Sequence, residues 1–261
     1  MSPTAERIPP PVRSRQLAVP VAAFGLLADG LGVFLANDVA AGVPFTTNYW
    51  VWIGLLHATF CVGIAVFMGV GDWSWRAAHM GFASLTYFAL GYLLLSSYIG
   101  LALYSRAPVG VRVTMLLALV AYHSWWVSRI VMRYRCAWQT GKFRRLIYVE
   151  QEDCITLRRS GEQEVRRRLG IKFFPGNLTI VATLLVSLGS YLFRRELTEY
   201  FGAQWVPIAF AIGGFTMSIF ETTLVTMSVL LYFVYPRILK RQTGKSVFID
   251  LLSPSPSVPS H

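Results

Sequence analysis

The stretch 129-RIVMRYRCAWQTGKFRRLIYVEQEDCITLRRSGEQEVRRRLGIK-172 carries twelve of the chain's 24 lysine and arginine residues in 44 positions. The twelve are Arg129, Arg133, Arg135, Lys142, Arg144, Arg145, Arg158, Arg159, Arg166, Arg167, Arg168 and Lys172. They face five acids, Glu150, Glu152, Asp153, Glu162 and Glu164. Long apolar runs lie on both sides of it. A basic segment between apolar runs marks one side of a membrane, because cytoplasmic loops of membrane proteins concentrate Lys and Arg. It also divides the chain into a part with four apolar runs and a part with two.

Composition agrees. The 261 residues are 54% hydrophobic and 14% charged, with a mean hydropathy of +0.50. Soluble domains carry about 25% charged residues. Lipid must therefore solvate much of this apolar surface. The formal charge of +11 would point to nucleic acid in a soluble protein. Here topology accounts for it, and the basic stretch has no aromatic-interleaved RNA motif, so nucleic acid is not an expected partner.

Working outward, residues 1–16 read as a flexible basic arm with Pro9, Pro10 and Pro11 among Arg7, Arg13 and Arg15. Residues 17–128 read as a four-helix membrane part, with helices over 17–37, 49–70, 79–103 and 110–132. The first run is longer than a secretory h-region and is interrupted by Asp29, so it reads as a helix, not a cleaved leader. Residues 129–172 form the basic cytoplasmic loop. Residues 173–235 hold two more helices, 174–193 and 206–235, the latter ended by Pro236 and Arg237, with 194–205 as a loop of balanced charge between them. Residues 236–261 are basic, then rich in Ser and Pro, the composition of a disordered tail. Within the basic loop, 146–149 and 154–157 are β-prone. A two-stranded hairpin is marginal alone and needs the membrane face or another chain to hold it.

The expected fold is thus all-α: a polytopic integral membrane protein with six transmembrane helices, four plus two, around a basic cytoplasmic loop. With both termini inside, 20 of the 24 basic residues lie on the cytoplasmic side and only Arg106, Arg112, Arg194 and Arg195 lie outside. The expected location is a plasma or bacterial inner membrane.

Four ionisable residues fall inside apolar runs: Asp29, His57, His123 and Glu221. A charge at the bilayer centre costs about 2.5–3.5 kcal/mol on insertion scales, so such residues face the bundle interior, pair, or mark a site. Gly214, Ser218, Glu221, Thr222 and Ser228 share one face of the last helix. Ala18, Ala22, Gly25, Asp29, Gly32 and Ala36 share one face of the first. Small faces let helices approach closely. The four ionisable residues are candidates for ion or proton binding. The alternative is that each acid bonds a hydroxyl or a backbone group, and that the histidines are satisfied core residues. Cys61 reads as a small core residue, and Cys136 and Cys154 as reduced cytoplasmic thiols. Arg144, Arg145, Arg158, Arg159, Arg166, Arg167 and Arg168 are candidates for contact with anionic lipid headgroups or an acidic partner.

No Cys-x-x-Cys pair, His-Glu-x-x-His, Gly-x-Ser-x-Gly or phosphate loop is present. No metal or cofactor is indicated by motif. Three function classes remain. The first is a non-enzymatic membrane protein that binds a partner in or beside the bilayer, in an assembly, anchoring or occluding role. That partner is another membrane protein or a second copy of the chain. The second is a small proton- or ion-coupled transporter or channel with a midplane acid and histidine site. The third is a membrane-embedded metal- or haem-dependent enzyme. The absent catalytic motifs place the third last.

Overall fold

The structure, a computed structural model, describes residues 15–40, 43–70, 76–171, 181, 185 and 188–250. It is mostly helical. Five stretches among the described residues are long and apolar enough to cross a membrane: Ala18–Val39, Tyr49–Val70, Ala77–Tyr104, Val109–Gln139 and Trp205–Thr243. Most of the expected arm, the turn 71–75 and the tail from 251 onward lie outside the described residues. So does much of the run 174–193, although positions 181, 185 and 188–192 are helical.

Helix α1 (Arg15–Val39) packs along α2 (Tyr49–Val70). Buried Asn48 joins them: its side-chain oxygen accepts the Val51 N–H at 3.4 Å, and its amide donates to the Ala36 carbonyl at 3.3 Å. That is an N-cap for α2 and a tie to the end of α1. The third span is not one regular helix. It runs as α3 (Ala77–Ala83), a 3-10 turn (Ser84–Tyr87) and α4 (Phe88–Tyr104). The Ser84 and Thr86 hydroxyls each donate to the carbonyl three residues back, Gly81 and Ala83, both at 2.7 Å. This local bonding accompanies the tighter winding.

Helix α5 (Val109–Gln139) runs straight through Arg129, Arg133 and Arg135, so the basic segment begins as a helix end rather than a loop. Near its start, Arg112 donates from Nε to the Ala102 carbonyl at 3.1 Å and from Nη2 to the Leu103 carbonyl at 2.6 Å. It thereby caps the last turn of α4. Beyond α5 come α6 (Lys142–Ile147), β1 (Tyr148–Glu150), β2 (Cys154–Arg158) and α7 (Arg159–Arg168). The region expected as a loop at 194–205 contains α8 (Arg194–Phe201), ended at Gly202 with φ +65°.

The last span is α9 (Trp205–Ser228), a π-helical turn (Val229–Val234) and α10 (Tyr235–Thr243), followed by β3 (Ser246–Asp250). Pro236 does not end it. It sits in the first turn of α10, where a missing N–H is tolerated.

The β-prone runs do form a hairpin, with Tyr148 opposite Leu157 and Glu150 opposite Ile155. What holds it is the chain's own third strand. β3 pairs parallel to β2, with Ile155 opposite Val247 and Leu157 opposite Ile249. Alternate residues of β2 point inward, and Ile155 and Leu157 pack with Ile147, Val165, Leu239 and Tyr235 in one buried cluster. The basic segment is therefore a small folded unit, built on the extended ends of α5 and α10.

Candidate functional site

Asp29 is fully buried on α1, with Gly25 one turn before it and Gly32 one turn after. A side chain at Gly25 would collide with Cys61, and one at Gly32 would collide with the Tyr92 ring. The small face thus brings α2 and α4 against the acid. His57 and Cys61 lie four residues apart on α2, on one face. His57 Nδ1 is 2.9 Å from Asp29 Oδ2 and 3.2 Å from Oδ1. Cys61 Sγ lies 3.7 Å from His57 Nδ1 and 4.0 Å from Asp29 Oδ2. On the far side of the ring, His57 Nε2 is 3.4 Å from the Leu85 carbonyl, in the 3-10 turn. The imidazole thus stands between a carboxylate and a carbonyl. Both accept hydrogen bonds, so a positive charge on the ring satisfies both.

Glu221 is set differently. It is 4% exposed on α9, packed against Gly91 of α4, where a Cβ would come within 2.7 Å of its Cδ. Its Oε2 has Thr222 Oγ1 at 3.5 Å, but that hydroxyl also donates to the Ser218 carbonyl at 3.0 Å. Among the described residues its Oε1 has no hydrogen-bond partner, and neither imidazole bonds the acid.

His123 belongs to a third contact. Its Nδ1 lies 2.9 Å from the Leu119 carbonyl, and its Nε2 2.9 Å from Ser218 Oγ. Close by, Trp126 Nε1 donates to Thr223 Oγ1 at 2.8 Å. These two bonds join α5 to α9. The four predicted residues therefore fall into three helix contacts: α1 with α2, α4 with α9, and α5 with α9. Only Asp29 and His57 are brought together.

The basic candidates are distributed over the folded unit. Arg145, Arg167 and Arg168 are exposed, and Arg144, Arg158 and Arg166 are half-buried. Arg159 opens α7. Arg168 Nε bonds Glu164 Oε1 at 2.6 Å, and Arg167 Nε lies 3.8 Å from Oε2. The Arg168 bond holds the Glu164 carboxyl below its usual range. Arg133 donates to the Leu169 and Gly170 carbonyls at 3.1 and 2.8 Å, ending α7.

No protein-family model, curated protein or solved structure matches the chain. The geometry stands alone.

Three features escape a reading of the sequence by motif. Cys61 is part of the Asp29 contact, and its spacing of four from His57 was a legible signal. Gly91 shapes the Glu221 pocket, and an isolated glycine in an apolar run says nothing of that by itself. The third is the attachment of the basic unit to the π turn. Tyr148 donates to the Leu231 carbonyl at 2.6 Å and Tyr232 to Glu162 Oε2 at 2.7 Å. A π turn displaces carbonyls from the α pattern, and Tyr148 meets one of them.

Proposed function

We propose a six-helix integral membrane protein with both termini and the basic unit in the cytoplasm, acting without catalysis by binding a partner in or beside the bilayer. The sixth span is the run 174–193. One observation carries the reading: the intramembrane ionisable groups lie in three separate helix contacts, an arrangement that suits a packed bundle more than a continuous ion path. Helix α5 supports it. Val113, Leu117, Val120 and Trp125 are exposed along that helix, which leaves an apolar surface for another membrane protein or a second copy. The arginines of the folded unit supply contact with anionic headgroups, at about 1 kcal/mol per basic residue near such a surface.

A photo-crosslinking residue at Leu117 or Val120, placed in native membranes, tests this. The expected result is a discrete adduct with one membrane protein or with a second copy, absent when the probe is at Leu56 of α2. Adducts no different from those at Leu56 count against the reading. Topology is tested alongside it. A cysteine at Thr46 should react with an impermeant reagent outside intact cells, while Cys136 and Cys154 should not.

The Asp29–His57 pair favours a second reading, proton- or ion-coupled transport. Under it, Asp29→Asn or Glu221→Gln abolishes flux in proteoliposomes while expression and melting stay near wild type. Under the first reading, Glu221→Gln is nearly silent, because the amide keeps the shape of the acid.

A further inference from the structure

Three potential ligand atoms converge in the first helix contact: Asp29 Oδ2, His57 Nδ1 and Cys61 Sγ all lie within 4.8 Å of one another. We propose that they form a binding site for a borderline divalent cation of the zinc class. The inference rests on this geometry and is independent of partner binding.

The spacing comes first. The three edges of the donor triangle are 2.9, 3.7 and 4.0 Å. A tetrahedral zinc ion with bonds of about 2.0–2.3 Å holds such donors roughly 3.3–3.6 Å apart. Each edge lies within about half an ångström of that range, a change that side-chain rotation supplies. Carboxylate, imidazole and thiolate are zinc's usual donor types, and a thiolate disfavours magnesium and calcium.

The ring is also oriented as a metal ligand is. Metal-bound histidines donate their other N–H to a carbonyl or carboxylate, which fixes the tautomer. His57 Nε2 faces the Leu85 carbonyl at 3.4 Å. With the proton on Nε2, the neutral ring turns a bare Nδ1 lone pair toward the Asp29 carboxylate. Two acceptors 2.9 Å apart repel, so a cation belongs between them: a proton or a metal ion.

Charge is balanced as well. With a proton in place, the site holds a carboxylate, an imidazolium and a thiol, and its net charge is zero. With a divalent ion it holds a carboxylate, a neutral imidazole, a thiolate and the ion, again zero. The exchange releases one proton from the imidazolium and one from the thiol. Net charge is the costly quantity inside a bilayer, and it does not change. Three protein donors leave the fourth position for water or an incoming ligand. The His57 side chain, 18% exposed, gives the site an edge at the protein surface.

The test uses the full chain in detergent micelles, purified without a polyhistidine tag and carrying Cys136→Ser and Cys154→Ser. Cys61 is then the sole thiol. Cobalt(II) is the probe. The expected result is one cobalt per chain, a thiolate-to-cobalt charge-transfer band, the strong visible bands of a tetrahedral ion, and two protons released per metal in weak buffer. Zinc should bleach the spectrum, and His57→Gln should lose it. No cobalt uptake, or uptake without the thiolate band, overturns the proposal whether or not the His57 variant folds. So does a band that persists unchanged in a folded His57→Gln protein.

Discussion

Asp29 and Glu221 are both acids in apolar helices, and the bundle treats them in opposite ways. Asp29 meets an imidazole nitrogen at 2.9 Å, which gives the carboxylate a partner. Glu221 meets a glycine and a hydroxyl already committed elsewhere, and its Oε1 has no hydrogen-bond partner among the described residues. The difference lies in the opposing helix. At the height of Asp29, α2 offers His57, a donor. At the height of Glu221, α4 offers Gly91, which is space. A buried acid with a donor becomes part of the packing, whereas one given only space retains a polar atom that the fold does not use.

The first way to break this comparison is His57→Leu, which leaves the Asp29 carboxylate buried without its counter-charge. Removing one partner of a buried pair costs about 3–5 kcal/mol, to be read as a loss of unfolding free energy in micelles. Adding Asp29→Leu should recover most of the loss, since replacing both partners with apolar groups is often neutral. A double variant no better than the single one would mean that Asp29 and His57 do not act as a pair.

Gly91→Ala probes the other acid. The added methyl reaches the Glu221 carboxyl group, and overpacking of this kind costs about 1–3 kcal/mol. The same change at Gly63, which has open space around it, should be neutral or stabilising. Equal effects at the two positions would remove Gly91 as the wall of the Glu221 pocket.

A buried polar group with a partner also occurs in the basic unit. Tyr148→Phe deletes the bond to the Leu231 carbonyl and should cost about 1 kcal/mol. Burial also holds the Tyr148 phenol well above its ordinary value of 10.0. The unfolded chain ionises first, so this stabilisation is complete below about pH 10 and is lost as pH rises. Melting at alkaline pH should therefore fall less steeply in Tyr148→Phe than in wild type.

Glu164 should show the smallest effect, with the opposite sign. Its folded carboxyl is held low by Arg168, so the pair contributes above the usual carboxylate range and is lost as pH falls through the folded value. Protection of the α7 amides, after division by the intrinsic exchange rate at each pH, should fall at acid pH in wild type, and Glu164→Gln should remove that dependence. An unchanged profile would leave the pair without a role.

Much of the architecture was legible one residue at a time. Apolar runs of 20 residues or more leave few alternatives to spanning helices, and the described spans fall where those runs are. Their ends were less legible. Helix α5 passes Arg129, and the last span passes Pro236, because a helix continues on its own backbone bonds past a charged residue and a proline in a new first turn breaks nothing. The loop expected at 194–205 holds a helix over Arg194–Phe201, with Arg195 and Glu199 one turn apart, 3.4 Å from each other, and Gly202 as its left-handed stop. The hairpin was visible in its β-prone residues. Its third strand lies almost 90 residues further on, and no local signal ties 154–158 to 246–250.

The candidate sites divide along the same line. By itself the sequence determined which residues are out of place in lipid, since a charge in an apolar run is conspicuous wherever the run folds, and which helix faces are small enough to receive a neighbour. Which residue meets which was decided only by tertiary structure. Helix order, rotation and height place His57 and Cys61 against Asp29, Ser218 against His123, and Gly91 against Glu221, and those pairings depend on contacts between segments as much as 130 residues apart in sequence.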